Sequence, residues 1–267
     1  MKKYVQEATD INIWTSIKNN TFGRNKDIKE FIDGLELIDE SACISLDAKW
    51  GDGKTFFVRQ IEEVLKYVLV NQWADEENSI EKLPSYKYLK DNEMIAKMEL
   101  KHSYLPIYYN AWMYDNHSDP LMSLLLVMTK TCKGVYDTKI DSEKISKKLI
   151  EVVATLPISL GEFKANPFTA IEKLQGKSMD ILSLVQTEEE IRERVKGIFN
   201  DIIVERAQKL IIFIDELDRC RPSFAIEMLE RIKHYFDDER VIFVVSLNKE
   251  QLIHTITCLL YTSPSPR

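Results

Sequence analysis

The stretch "SLDAKWGDGKTFF", residues 45–57, decides the fold of this 267-residue chain. A phosphate-binding loop reads G-x-x-x-x-G-K-[S/T], and Gly53, Lys54 and Thr55 supply its second half, while Ala48 occupies the position of the first glycine. The run "SACISL" before the loop is typical of a strand, and the apolar residues after Thr55 recur with the period of a helix. The order strand, loop, helix places a helix amino terminus where it can bind phosphate.

Each residue of this loop has an expected role. The Lys54 ammonium is expected to reach the β- and γ-phosphates, and the Thr55 hydroxyl to hold Mg²⁺. Gly51 and Gly53 stand where the backbone must approach the phosphates closely, whereas Ala48 adds one methyl that constrains φ without filling the anion cradle. The predicted nucleotide-binding residues of the loop are Ala48, Lys49, Trp50, Gly51, Asp52, Gly53, Lys54, Thr55 and Phe56.

A second motif strengthens the interpretation, because G-K-T after a strand also occurs by chance. "KLIIFIDELDRCR" starts with a continuous apolar run, which is typical of a strand buried on both faces of a parallel sheet. Asp215 at its end is predicted to position Mg²⁺, and Glu216 to activate the attacking water. The alternative is a strand-end cap followed by a solvated acid. The apolar run carries both acids to the crevice where such sheets bind ligands, which favours a chemical role for them. The predicted catalytic residues are Glu216 and, from the phosphate-binding loop, Lys54.

Other polar residues near the motifs leave alternatives open. Asn248 ends a further predicted strand, "RVIFVVSLN", and is predicted to contact the γ-phosphate or the water; the alternative is a polar residue that opens a turn. Arg219 could sense phosphate, serve an interface or form an ordinary salt bridge with Asp218. The sequence does not rank these three roles.

Two tryptophans lie close to the motifs. Trp50 either covers the nucleotide or packs beneath the loop, and packing is expected because an indole buries a large area. A strand is predicted over residues 104–112, "YLPIYYNAW". Asn110 and Trp112 are hypothesised to fix the end of this strand near the site.

Composition and charge narrow the function classes. With 36 basic and 43 acidic residues the net charge is −7, which does not favour nonspecific nucleic-acid binding, although a local basic patch stays open. The 4 cysteines form no C-x-x-C pair and indicate free thiols in a reducing cytosol. The longest uncharged run in the middle, Val152–Gly161, is far shorter than the about 20 apolar residues of a spanning helix. We therefore expect a soluble, cytoplasmic protein; peripheral membrane association and oligomerisation stay open.

Together, "AKWGDGKTFF", "YYNAWMYDNHSDPL", "IIFIDELDRCRP" and "VIFVVSLNKEQL" resemble the KAP family of P-loop NTPases. The family's W-G-x-G-K-[S/T] loop, N-A-W segment and D-x-L-D-R-C stretch correspond to Trp50–Thr55, Asn110–Trp112 and Asp215–Cys220. The resemblance covers roughly residues 22–257. It implies an α/β fold of the RecA-like, additional-strand catalytic-glutamate type: a mostly parallel sheet with helices on both faces and a helical insertion at about 113–186.

The same resemblance implies Mg²⁺-dependent binding and hydrolysis of ATP. It also suggests a bacterial protein whose nucleotide state switches its contacts with partner proteins, with phage defence as one role. A nucleotide-gated scaffold with negligible hydrolysis is the alternative, against which Glu216 argues. A kinase that transfers phosphate to a small molecule is disfavoured, because the sequence shows no recognisable site for the phosphate acceptor.

The chain departs from the family pattern in several places. Ala48 replaces the first glycine, Asn248 stands where relatives often carry aspartate, and no transmembrane hairpin is visible. The closing stretch "CLLYTSPSPR", residues 258–267, resembles a translated sequencing adapter, so the natural domain is expected over 1–257. The strand around Cys43 to Leu46 is then expected at a sheet edge, and any distal arginine finger is expected to be absent from this chain.

Overall fold

A four-stranded, fully parallel sheet forms the centre of the fold. The strands lie in the order β1-β4-β3-β2 and are β1 (Ala42–Asp47), β2 (Tyr104–Asn110), β3 (Lys209–Asp215) and β4 (Val241–Leu247). The computed structural model describes residues 7–72, 80–117, 119–135, 188–203, 207–235 and 238–262. This architecture confirms the α/β class predicted from the sequence.

Helices cover both faces of the sheet, as predicted. One face packs against α1 (Asp10–Lys18), α2 (Arg24–Leu35), α3 (Lys54–Gln72), α4 (Tyr86–Leu89) and α5 (Glu93–Ala96). The other packs against α6 (Pro120–Val135), α7 (Glu188–Ile203), α8 (Pro222–Tyr235) and α9 (Lys249–Thr262). The two resulting apolar clusters lie on opposite sides of the sheet.

The central strand β3 shows why the apolar run "LIIFI" was diagnostic. All 7 residues of β3 are buried. Ile211 and Phe213 pack into the cluster around α3, whereas Ile212 and Ile214 pack into the cluster around α6 and α8. A strand that fills two cores at once needs apolar residues at successive positions, because successive side chains point to opposite faces.

The strand that precedes the phosphate-binding loop lies at the edge of the sheet. In the part of the chain that the structure describes, β1 pairs with β4 alone, from Ala42 beside Ile242 to Asp47 beside Leu247. The burial of β1 accordingly alternates between half-buried and exposed residues. The expectation of an edge strand around residues 43–46 is confirmed for these residues.

Two sequence-based boundaries are only partly covered. Helix α9 continues to Thr262, five residues past the expected end of the natural domain at residue 257, and residues 263–267 lie outside the described residues. Of the helical insertion expected at about 113–186, the structure describes α6, and residues 136–187 lie outside the described residues. No helix within the described ranges combines the length and the apolar character needed to cross a membrane.

A polar seam joins α1 to α3. The indole N–H of Trp14 donates to Glu63 at 2.6 Å, and Arg59 pairs with both Asp10, at 2.8 Å, and Glu62. Glu62 and Glu63 are both buried. Two adjacent carboxylates taken out of water are tolerated only with such partners, because burial disfavours the charged form.

Glu62 is expected to make stability depend on pH. Burial raises the pKa of Glu62 to about 7, against the opposing effect of Arg59. A native acid that holds its proton more tightly than the unfolded chain stabilises the fold at low pH, and this contribution is lost as pH rises through about 7. Between pH 5 and 8 the free energy of unfolding of the wild type should therefore fall by about 2 to 3 kcal/mol relative to Glu62→Gln.

Urea unfolding at a series of pH values measures this difference. Glu93→Gln changes an exposed glutamate of α5 and serves as the control, with no comparable pH dependence expected. A wild-type-minus-Glu62→Gln difference that stays flat from pH 5 to 8 would contradict the assignment.

Candidate nucleotide-binding site

The phosphate-binding loop occupies residues 48–53, between the end of β1 and the start of α3. Gly51 and Gly53 have φ values of +90° and +81°, in the left-handed region that favours glycine. Lys54 is the first residue of α3 and Thr55 the second. The structure therefore places the G-K-T sequence at a helix amino terminus, as predicted.

Lys54 is directed at its own loop. Its ammonium donates to the backbone carbonyl of Ala48 and, at 3.2 Å, to that of Lys49. The Asp52 carboxylate accepts a hydrogen bond from the Lys49 amide at 3.1 Å and braces the same turn. Lys54 thus donates to two acceptors of its own loop that phosphate oxygens can replace.

Arg24, at the start of α2, is a loop contact that the sequence did not reveal. Its guanidinium donates to the carbonyls of Asp52, at 3.1 Å, and Gly53, at 3.2 Å, and lies 5.8 Å from the centre of the Phe57 ring. A Cβ built at Gly53 would approach this guanidinium to 3.1 Å. Arg24 therefore stabilises the loop through two of its backbone carbonyls. No motif spacing connects position 24 with position 53, so only the fold could show this contact.

Asp215 ends β3 as a buried carboxylate, with 1% of the residue exposed. It accepts hydrogen bonds from the Tyr108 hydroxyl and from the Glu216 amide, both at 3.0 Å. Burial and the neighbouring Asp215 raise the pKa of Tyr108, so the phenol stays protonated and donates. Ser246 lies beside Asp215 in the register of β4, and its buried hydroxyl finds no hydrogen-bond partner among the described residues.

Glu216 has both carboxylate oxygens engaged. Oε1 forms an ion pair with Arg219 at 3.0 Å, and Oε2 accepts a hydrogen bond from the Asn110 side chain at 3.2 Å. Only 15% of the Glu216 side chain is exposed, so the alternative of a solvated surface acid is wrong. The predicted alternative of a salt bridge between Arg219 and Asp218 is also wrong, because Arg219 pairs with Glu216.

A family model, that of the KAP family P-loop domain, matches residues 24–260. The chain belongs to the KAP family. The match spans the loop, Asp215 and Glu216. Membership of this family of P-loop domains supports nucleotide binding by the chain. None of the curated proteins in a second comparison matches the chain.

Trp50 of the KAP domain joins the loop to the acidic segment. Its indole N–H donates to the buried Asp218 carboxylate at 2.6 Å, and the Arg219 guanidinium lies 5.7 Å from the centre of its ring. Trp50 is 56% exposed, so the expectation that it packs beneath the loop is wrong. The hydrogen bond to Asp218 holds the indole at the surface, where its polar N–H is satisfied without burying the ring.

The end of β2 differs from the predicted strand over residues 104–112. The strand stops at Asn110, whose side chain accepts a hydrogen bond from the Met113 amide at 3.3 Å and starts a 3-10 turn over Ala111–Tyr114. Trp112 lies in this turn and is largely exposed. Asn110 thus fixes the strand end near Glu216, as hypothesised, whereas Trp112 contributes no core packing there.

Asn248 follows β4 directly and starts α9. Its side-chain oxygen accepts a hydrogen bond from the Gln251 amide at 3.2 Å, the arrangement of a helix cap. The next residue, Lys249, donates its amide to Asp47 at 2.9 Å. Asn248 therefore lies at the same edge of the sheet as the loop. Its contact with nucleotide stays a prediction.

The residues at the carboxyl ends of the strands fit a nucleotide with Mg²⁺, which P-loop domains typically bind together. Asp215 and Thr55 are the residues that would hold the metal, and Lys54 with the loop would hold the phosphates. The unpartnered Ser246 hydroxyl beside Asp215 is a buried polar atom of the kind that an ion's water shell satisfies. The donor set consists of oxygen ligands, the class that Mg²⁺ prefers.

Gly53→Ala tests the loop of the KAP domain. Because φ at Gly53 is +81° and a Cβ would crowd Arg24, the change should cost about 1 to 2 kcal/mol of stability and weaken nucleotide binding at least about tenfold. Gly34→Ala is the matched control, since that glycine of α2 has open space at its Cβ position, and alanine should stabilise the helix by up to about 1 kcal/mol. Unfolding curves and titration with a fluorescent ATP analogue measure both effects. Equal behaviour of the two variants would contradict the role of Gly53.

Proposed function

We propose that this KAP domain binds ATP with Mg²⁺ and hydrolyses its β–γ bond. The observation that carries the proposal is the 2.6 Å hydrogen bond between Trp50 of the loop and Asp218. These residues are 168 positions apart, and their contact supports a single site that contains the phosphate-binding loop and the acid pair Asp215 and Glu216. A phosphate-binding loop beside a metal-positioning acid and a second acid is the arrangement that phosphoanhydride hydrolysis needs.

Each residue then has one task. Lys54 gives up the carbonyls of its own loop and pairs with phosphate oxygens, while the amino terminus of α3 adds favourable backbone N–H groups. Asp215 accepts hydrogen bonds from the Tyr108 hydroxyl and the Glu216 amide, and so keeps a fixed orientation toward a metal. Glu216 accepts a proton from the attacking water. Bound Mg²⁺ would neutralise the charge on the phosphates.

A second candidate is a nucleotide-gated scaffold that binds ATP with negligible hydrolysis. The observation that favours it is the engagement of both Glu216 oxygens by Arg219 and Asn110. A carboxylate whose orientation is held by two partners cannot turn toward a water elsewhere until it is released, so a chain that never releases it would act by binding alone.

The biological role proposed for either activity is a switch that controls contacts with partner proteins. The exposed side chains of Trp112 and Met113 support this proposal, because they lie two and three residues after Asn110, which contacts Glu216. A change at Glu216 on nucleotide binding would then be transmitted to an apolar surface that a protein partner can cover. Bacterial phage defence is one setting that the family resemblance suggests for such a switch.

Phosphate release and nucleotide binding, measured in parallel, test the proposal. Glu216→Gln should lower the rate of release at least about 100-fold and retain binding, because the amide cannot accept the proton of the water. Lys54→Ala should weaken binding at least about tenfold, because it removes the charge that pairs with phosphate. Lys97→Ala, an exposed lysine of a helix-surface pair, is the control and should change neither quantity.

The outcomes separate the two candidates. Release that is equal in wild type and Glu216→Gln would remove the claim of hydrolysis, and retained binding in both would favour the scaffold. Binding that Lys54→Ala leaves unchanged would contradict both.

A further inference from the structure

Both carboxylate oxygens of Glu216 contact other side chains of the protein. Arg219 pairs with one oxygen at 3.0 Å, and Asn110 donates to the other at 3.2 Å. A general base must offer an oxygen within hydrogen-bond reach of the proton that it takes. Arg219 and Asn110 fix the orientation of the carboxylate, and turning it toward a water on another side loses at least one of these two contacts.

The backbone holds this arrangement in place. Glu216 has a φ of +62°, a left-handed conformation that is unfavourable for a glutamate. The chain then forms a 3-10 turn over Leu217–Arg219, in which the Arg219 amide donates to the Glu216 carbonyl at 3.1 Å. This turn brings the Arg219 guanidinium back to the carboxylate three positions earlier. An unfavourable backbone conformation therefore coincides with the engagement of the acid.

Arg219 is in turn connected to the phosphate-binding loop. Its guanidinium lies 5.7 Å from the centre of the Trp50 ring, within the range of a cation–π contact. Trp50 follows directly the two residues, Ala48 and Lys49, whose carbonyls accept hydrogen bonds from Lys54. Any exchange of these carbonyls for phosphate oxygens changes the loop immediately next to Trp50.

We propose that Arg219 and Asn110 are positioning residues that hold Glu216 back from the attacking water, and that Trp50 makes this restraint depend on the state of the phosphate-binding loop. The proposal rests on the proposed hydrolysis and concerns when Glu216 becomes available as its base. Arg219 and Asn110 hold the acid in the conformation that the structure describes. Binding of phosphate moves Lys54 and the loop, disturbs Trp50 and loosens Arg219, and Glu216 then turns to the water.

Steady-state phosphate release by single variants tests the restraint. Arg219→Ala should raise kcat about twofold to fivefold with KM unchanged, since it releases one oxygen of Glu216 from a weak, half-exposed ion pair and leaves the phosphate-binding loop intact. Asn110→Ser should act in the same direction, because serine can still cap the 3-10 turn but is too short to reach Glu216. Arg219→Lys keeps a cation and should return kcat toward the wild-type value. Lys97→Ala is again the matched surface control.

A readout that needs no turnover tests the link to the loop. The chain has 4 tryptophans, so indole N–H signals in a ¹⁵N NMR spectrum are few, and Trp50→Phe identifies the signal of Trp50. This signal should shift in Arg219→Ala without nucleotide, and in the wild type on addition of Mg²⁺ and an ATP analogue with a non-hydrolysable β–γ bond. Lys97→Ala should leave it in place.

The possible results separate the restraint from the hydrolysis that it presupposes. A kcat that falls or stays unchanged in Arg219→Ala, with release still lost in Glu216→Gln, overturns the restraint and leaves the hydrolysis standing. Release that is equal in wild type and Glu216→Gln overturns both. A Trp50 signal that responds neither to Arg219→Ala nor to the analogue overturns the link to the loop. If Asn110→Ser does not fold, the two Arg219 variants test the restraint on their own, because the Arg219 side chain is 45% exposed and supports no core.

Discussion

The buried carboxylate of Asp215 is the constraint around which the rest of the site is arranged. A carboxylate out of water is costly unless hydrogen bonds or a cation compensate it. The Tyr108 hydroxyl and the Glu216 amide supply two hydrogen bonds here. The Tyr108 ring is itself covered by the Arg59 guanidinium, 4.7 Å from its centre, and Arg59 is paired with Asp10 of α1. The orientation of one acid at the carboxyl end of β3 thus depends on a chain of contacts that reaches the amino-terminal helix.

The sequence predicted those features that local patterns encode. The apolar run before Asp215 predicted a strand buried on both faces, because a run of this length that is rich in isoleucine leaves no polar face and suits a strand better than a helix. The glycines of the loop and the order strand, loop, helix predicted the phosphate-binding turn. Arg24 behind the loop, and the pairing of Asn110 with Glu216, could not be predicted. Each joins elements far apart in the chain, and neither carries a spacing that identifies a partner.

Trp50 shows how a sound general rule can fail at a particular position. A large ring is expected to be buried because of the apolar area that it removes from water. Here the polar N–H of the ring meets Asp218, which is itself buried and needs a donor, and the indole is held half-exposed above it. The requirement of a buried acid for a hydrogen bond prevailed over the gain from burying the ring. Knowledge of the facing residue was necessary to decide between the two, and the sequence does not supply it.

Strand order divides the site into a fixed half and a half that can rearrange. The acids follow β3, which is bonded on both sides by β2 and β4, so their backbone is held by two ladders of hydrogen bonds. The phosphate-binding loop follows β1, which among the described strands has β4 as its one neighbour. Side-chain ties compensate: Arg24 holds the loop carbonyls, Trp50 reaches Asp218, and Asp47 accepts from the start of α9. Such ties are individually weak and can be exchanged one at a time, whereas a strand ladder cannot. A loop whose lysine can exchange its own carbonyls for phosphate oxygens is therefore attached to the edge strand of the sheet, while the acid that must keep its orientation is attached to a central strand.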